Sequence, residues 1–484
     1  MTFTTLTFVL FLVTVFFLYW GLRRRTAQNV LLVLASFVFY AWWDYRFTVL
    51  MLISGVTDFL VGLGLGKAVR RPSRRLLLLT SLVVNLGMLG FFKYFGFFVE
   101  TFQALLERLG YQPHPVTLRI VLPVGISFYT FQTLSYTLDI YRGALRPTRR
   151  FIDYMSYVTF FPQLVAGPIE RAGRLLPQFS ADRRFDYHSA AEGGRLILWG
   201  FVKKLVIADN MAVIVDAVYA DPTAGTGPQL LLATVAFAFQ IYCDFSGYSD
   251  IAIGTGRLFG INLTRNFAYP YFSLSLAEFW RRWHISLSTW FRDYVYIPLG
   301  GSQRSRPRRA ANVVATFTLS GLWHGASWNF IIWGGLNGVV ALPSLFGRRG
   351  SRGPPSEIPG GERTLPSMRS LLAMGVTFAV ICFGWVFFRA GSLSDAILIL
   401  ERIGQDAVSL RAYAGVRHVL SAYDRLSLVL LAVFVAVEWL QRRHLHPLDL
   451  PRWPVWGRWG VYSGLLWLTL LRQGPGFEFI YFQF

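Results

Sequence analysis

The chain is 484 residues long, 54% hydrophobic and 17% aromatic, with only 15% of its residues charged. That balance excludes an ordinary set of soluble domains and reads as a membrane protein. The formal net charge of +21 does not describe a nucleic-acid surface, because Lys and Arg are strung between apolar runs in alternate loops, the positive-inside pattern. Only two cysteines occur, Cys243 and Cys382, both in apolar runs, which argues against a disulfide framework and against a thiolate metal site.

In chain order, apolar runs that approach or reach spanning length occur at 3–20, 28–43, 47–66, 76–92, 228–242, 371–388 and 427–440. Counting shorter and polar-interrupted runs as well, hydrophobic length predicts roughly ten spans. The first run reaches "FFLYWGLRRR" without a basic leader or a small-residue cleavage site, so it is expected to remain as a span. Placing Arg23–Arg25 on the cytoplasmic side puts Met1 outside and the basic loops 67–75 and 142–150 inside. The loops at 42–46 and 100–115 are poorer in basic residues, as that topology requires. Carried forward, it puts residues 257–310 inside and both termini on the extracytoplasmic face of the membrane.

Residues 1–116 read as N-terminal transmembrane helices. Residues 117–347 are interrupted by Pro, Gly and polar residues, which is tolerated at membrane depth only where protein or water covers the backbone, so this core is expected to surround a cavity. The Gly-, Pro- and Ser-rich stretch 348–370 predicts a cytoplasmic linker. Residues 371–484 are expected to hold the C-terminal helices and an extracytoplasmic aromatic tail, with an amphipathic surface segment at 390–425.

Chemistry concentrates in the core. Between 242 and 310, Trp280, Trp283 and Trp290 interleave with Arg281, Arg282, His284 and Arg292. By composition this is an interfacial helix anchored by indoles and meeting lipid phosphates. Asp244, Asp250, Glu278 and Asp293 fit that picture poorly, since carboxylates near a bilayer are normally paired or line a cavity. Lys203 and Lys204 read as snorkelling to inner headgroups or as binding donor phosphates. "GTGRLFG" (254–260) lacks the preceding strand of a nucleotide site. "HLH" (444–446) lacks further metal ligands, and no metal is expected. The sequon at 262–264 falls on the predicted inner side.

His324 lies in "SGLWHGASWNF" (320–330), one of the most apolar stretches. In such a setting the imidazolium is disfavoured and a neutral ring keeps a lone pair for proton abstraction. From the residues alone, a catalytic base and a buried histidine bonded to a neighbouring helix stand level. Trp323, Asn329 and backbone N–H groups near Gly325 are candidate oxyanion donors. Gly321 and Gly325 suit either a helix break beside a ligand or plain helix packing.

The runs "DFSGYSDIAIG", "NFAYPYFS", "EFWRRWHISLSTWFRDYVYIPLGG" and "GLWHGASWNFIIWGGLNG", together with 122–143 and 160–172, resemble the membrane-bound O-acyltransferases, in particular the bacterial alginate O-acetylation branch. The resemblance covers most of the chain. It implies an all-α polytopic membrane protein, a ring of transmembrane and re-entrant helices around a central tunnel. His324 matches the invariant catalytic histidine, and His284 a second histidine where many eukaryotic relatives carry asparagine. Beside His284, Arg282 and Trp283 are expected to contact substrate, as are Trp323 and Asn329. The ending "FIYFQF" resembles tails of the same branch, which implies an acyl-relay role for Tyr481. The resemblance further implies acetyl-CoA as donor substrate with no bound cofactor, an exported polysaccharide as final acceptor, and an extracytoplasmic serine-hydrolase-like (SGNH-type) partner. Membrane lipid is the expected surrounding. D-alanyl transfer from a carrier protein and polysaccharide or lipid transport are the alternatives.

Overall fold

The computed structural model describes residues 1–112, 114, 118, 120–165, 167–343, 365–422 and 425–482. Every regular element among them is helical. Most of the linker expected at 348–370, up to residue 364, lies outside the described residues. Each apolar run falls largely on a helix, at Leu6–Gly21, Arg25–Asp44, Thr48–Lys67, Arg71–Leu89, Gly227–Leu258, Met368–Arg389 and Arg425–Leu440. The protein is an all-α, polytopic membrane chain. Among the described residues, four helical stretches are both long and apolar enough to cross a bilayer: Arg25–Lys67, Arg71–Arg108, Gly227–Leu258 and Met368–Arg389. By length and composition these are fewer than the roughly ten expected spans for two reasons. The runs at 28–43 and 47–66 share one continuous stretch, and core helices such as Ile126–Tyr141 and Trp328–Val340 have only 16 and 13 residues, fewer than the ~20 a bilayer needs.

The chain divides into two compact units, residues 1–193 with 255–264, and residues 194–254 with 265–484. At the heart of the first lies Ile126–Tyr141, almost all of whose side chains are buried. It begins at Gly125, whose φ of 75° is left-handed and whose Cβ, were there one, would meet the Leu164 carbonyl oxygen at 2.7 Å; only glycine meets both demands. Thr48–Lys67 and Arg71–Leu89 pack against this helix around a buried polar cluster. There Asn85 Nδ2 donates to Asp58 Oδ2 at 3.0 Å, and the Ser54 and Ser81 hydroxyls donate to Asn85 and Asp58. Unpartnered polar groups in an apolar interior cost several kcal/mol, so this network fixes how the three helices meet.

In the second unit, Arg306–His324 and Trp328–Val340 form a tight hairpin. A proline in the first turn favours the start of the first helix, and Gly325, extended at φ −161° and ψ 149°, ends it. The helices touch backbone to backbone: a Cβ at Gly321 would stand 2.1 Å from the Phe330 carbonyl oxygen, and one at Gly334 would stand 2.4 Å from that of Phe317. Helix packing through small residues is therefore the role of Gly321, while Gly325 serves both the break and a close approach to the Phe330 ring, 2.1 Å from where its Cβ would be. Met368–Arg389 packs on the second arm of the hairpin.

The adjacent glycines of that arm make a matched test. Gly335 has only the Thr318 hydroxyl nearby, at an ordinary 3.6 Å, so Gly335→Ala should be neutral or stabilising by up to ~1 kcal/mol through helix propensity. Gly334→Ala should destabilise by about 1–3 kcal/mol through overpacking, read as a lowered Tm of the detergent-solubilised protein.

Candidate active site

His284 and His324 reach the same point by different routes. His324 is the last residue of the Arg306–His324 helix and is carried to the hairpin tip. His284 stands between two seven-residue helices, Leu276–Arg282 and Ile285–Phe291. The first is started by a cap at "SLAE": Ser275 Oγ accepts from Glu278 N, and Glu278 Oε2 accepts from Leu274 N at 2.8 Å. Arg282 then donates to Glu278 Oε1 at 2.8 and 3.0 Å and to the Ala268 carbonyl at 3.2 Å.

At His284 the backbone turns left-handed, φ 43° and ψ 55°, which costs an L-residue about 1–2 kcal/mol. Neighbouring bonds hold it there. On one side Ala268 N donates to the Arg282 carbonyl at 3.0 Å; on the other Ile285 N donates to the Asn266 carbonyl at 2.9 Å. The Asn266 carboxamide oxygen accepts from the Ser286 hydroxyl at 2.9 Å and from its N–H at 3.3 Å, and its Nδ2 donates to Ser249 Oγ at 3.2 Å. A strained residue so firmly determined by its surroundings is a mark of a working site.

The two imidazoles and the Tyr481 phenol form a triangle: ring centroids lie 6.4 Å apart for His284–His324, 5.5 Å for His324–Tyr481 and 6.4 Å for His284–Tyr481. Aromatic walls close around it. Trp323, Trp333 and Phe388 stand 5.0, 5.2 and 5.6 Å from the His324 ring, and Phe245 stands 4.6 Å from that of His284. Both histidines are buried, at 1% and 4% exposure, and both line a cavity of about 380 Å³. The cavity is graded: Trp283, Trp333 and the histidines make a buried end, while the exposed Arg281 and Arg292 belong to its rim. Burial lowers the His284 pKa from its ordinary 6.5 to about 3, so this ring is neutral at any physiological pH. Burial, with the Asp244 carboxylate as a second cause, raises the Tyr481 phenol, which keeps its proton until a base removes it.

Of the residues singled out in the sequence, His284, His324, Trp283 and Tyr481 come together here, and Trp323 packs against both histidine rings, 5.9 Å from His284. Asn329 and Arg282 do not join them, and of the group only His284, His324 and Trp283 line the cavity itself. Asn329 Nδ2 donates to the Ala390 carbonyl at 2.9 Å, holding the hairpin to the end of Met368–Arg389. Arg282 is buried and tied to Glu278 and Ala268. Within the segment expected at headgroup level, Trp283 and Trp290 are buried in protein. Lys203 and Lys204 are neither snorkelled nor open to phosphates: they are buried and paired, Lys203 with Asp250 at 2.6 Å and Lys204 with Asp209 and Asp244 at 2.8 Å each. Sequence reasoning missed the walls Phe245, Trp333 and Phe388, which carry no signal beyond being aromatic in apolar runs.

The pattern of the membrane-bound O-acyltransferase family (MBOAT) matches residues 144–355, a range that includes both histidines. The chain is similar to the probable alginate O-acetylase AlgI of Azotobacter vinelandii, 41% identical over 400 residues, covering 82% of this chain and 76% of that protein. It is 35% identical over 440 residues to the peptidoglycan O-acetyltransferase of Helicobacter pylori, covering 84% and 81% of the two chains. With the teichoic acid D-alanyltransferase of Bacillus subtilis it shares 29% over 292 residues, 57% of this chain and 71% of the other.

Asn266 gives the test of how the turn is held. Asn266→Ala removes the acceptor for two Ser286 donors and should cost about 1–3 kcal/mol, seen as a lower Tm in detergent. Ser286→Ala removes only the hydroxyl donor and should lose less.

Proposed function

The chain belongs to the membrane-bound O-acyltransferase family and is a multi-pass membrane O-acyltransferase, and on that premise we propose that it moves acetyl groups from cytoplasmic acetyl-CoA across the inner membrane for O-acetylation of an exported polysaccharide such as alginate. The observation that carries this reading is the triangle of His284, His324 and Tyr481, two of whose members, the histidines, line the buried end of one cavity. Acetyl is favoured over D-alanyl because the relatives named for O-acetylation share 35–41% identity over more than four-fifths of this chain, against 29% over 57% for the D-alanyltransferase.

In the proposed reaction His324 acts as general base. It takes the proton of the Tyr481 phenol as the phenolic oxygen attacks the thioester carbonyl, and a tetrahedral oxyanion forms. Collapse breaks the C–S bond; the thiolate leaves with the proton held by His324, giving free CoA and an acetyl ester on Tyr481. An acceptor hydroxyl then repeats the cycle against that ester, its proton passing through His324 back to the phenol. A positioned base of this kind contributes ~10²–10⁴-fold. His284, neutral and fixed by its turn, orients the reacting groups, and in this reading the indole N–H of Trp323, whose ring packs against His324, stabilises the developing oxyanion. Excluding water from the aromatic end protects the thioester and ester from hydrolysis.

The donor enters at the Arg281 and Arg292 rim, whose cations suit the phosphates of acetyl-CoA. Both termini are extracytoplasmic in this reading, and an SGNH-type acyltransferase on that face receives the acetyl group and completes transfer to the polymer.

Labelled acetyl-CoA supplied to purified protein with such a partner tests the proposal. His324→Ala should lower CoA release by about 100-fold or more, and undiminished release would remove its role as base. Tyr481→Phe should abolish acetyl export while membrane insertion stays normal, and the acetyl adduct on the Tyr481 peptide should vanish from mass spectra; full export by this variant would remove the relay.

A further inference from the structure

The two lysines that sequence reasoning assigned to the membrane surface are engaged in something else. Lys204 Nζ has three protons and three partners: Asp209 Oδ1 and Asp244 Oδ1, each at 2.8 Å, and the Phe477 carbonyl at 2.9 Å. The third partner belongs to the C-terminal segment. Asp244 also reaches that segment, its Oδ2 accepting from Ile480 N at 2.7 Å. Upstream, Gly474 N donates to the Leu205 carbonyl at 3.0 Å, and Asn210 Nδ2 donates to the Arg472 carbonyl at 3.1 Å. A Cβ at Gly474 would stand 2.6 Å from that of Asp209 and 2.8 Å from its carbonyl carbon, so the segment lies flat on the cluster.

We propose that the buried Lys204–Asp209–Asp244 cluster is a latch for the C-terminal segment, and that Lys204 and Asp244 are positioning residues which set Tyr481 between His284 and His324. An ion pair needed only for stability would be complete with lysine and its two carboxylates. Here the ammonium uses its full donor capacity only when Phe477 is docked, and a carboxylate at 2% exposure spends its second oxygen on Ile480. Undocking the segment would leave charges buried with incomplete hydrogen bonding, a state that low-dielectric surroundings strongly disfavour. The grip is on backbone atoms one residue before and four residues before Tyr481, so it fixes the height and direction of the phenol. Phe479 completes the placement: its ring lies 4.4 Å from Tyr248 and 5.6 Å from Phe245, and Phe245 in turn touches Tyr481 at 4.5 Å.

The inference rests on Tyr481 being the acyl relay, and the experiment separates the two. Two readouts are taken on the full-length protein in detergent: acetyl-CoA turnover with the partner, and carboxypeptidase trimming through Tyr481, followed by intact mass. Lys204→Met and Asp244→Ala remove the grip. Ile480→Pro deletes the donated N–H and Gly474→Val lifts the segment by collision, both leaving every charge of the cluster in place, so they remain informative if the charge variants do not fold. The expected result is faster trimming together with a kcat lowered about 100-fold, the scale of a displaced reacting group, at unchanged KM for acetyl-CoA, with Lys204→Arg recovering part of both. Variants that free the segment yet keep full kcat, or lose kcat with the segment still protected, overturn the latch. If Tyr481→Phe is fully active while the latch variants are slow, the relay fails and the latch stands as the support of an aromatic wall. If Tyr481→Phe is inactive while the latch variants turn over normally, the latch fails and the relay stands.

Discussion

The close approach of Arg306–His324 and Trp328–Val340 is the constraint on which the site depends. Gly321 and Gly334 let two backbones meet without side chains between them, and the hairpin they permit brings a histidine to a helix end inside a shell of indole and phenyl rings. Widen that contact by one methyl group and the tip moves, taking the His324 ring away from Trp333, Phe388 and Tyr481 together. Beyond the Asn329–Ala390 hydrogen bond, little in an apolar interior resists such a shift, because dispersion contacts are individually weak and non-directional.

The second requirement is that every buried charge have company. The unit that holds the site encloses Lys203, Lys204, Asp209, Asp244, Arg282 and Glu438, an expensive population for a region of such hydrophobicity. Each is absorbed by a specific partner: Lys203 by Asp250, Arg282 by Glu278, and Glu438 by the Tyr242 hydroxyl, at 3.0 and 3.1 Å to its two oxygens. Such pairings add little net stability over apolar side chains of equal volume, but once present they penalise any arrangement that separates them. They therefore act as register marks for helices that apolar packing alone would let slide.

Much of this was legible beforehand. Hydrophobic length located the helices, because at membrane thickness composition and secondary structure are nearly the same information. The histidines stood out because an ionisable group in an apolar run is costly wherever it is placed. What escaped was pairing across distance. Asp209 lies close to Lys204 in sequence, but nothing in "FVKKLV" announces that the lysines also meet Asp244 and Asp250, forty or more residues on, and headgroup exposure is the natural reading of two cations beside an apolar helix. Arg282 was different: Glu278 lies four residues before it, an ordinary helical pair, and that spacing could have withdrawn it from the list of substrate contacts. Asn329 carried no such clue, since its acceptor is a main-chain carbonyl sixty-one residues away. Tyr481 was reached through resemblance alone, for a terminal aromatic run has no periodicity to read.

The left-handed turn at position 284 has a bearing on how such sites diversify. Backbone geometry there admits few side chains at low cost: glycine freely, and among the others chiefly asparagine, aspartate and histidine, whose short polar groups tolerate that conformation. The alphabet open to evolution at this point is thus filtered by a dihedral angle before any chemical selection applies. The filter admits the imidazole found here and would equally admit a carboxamide, two groups that share little reactivity but a common ease with one bend of the chain.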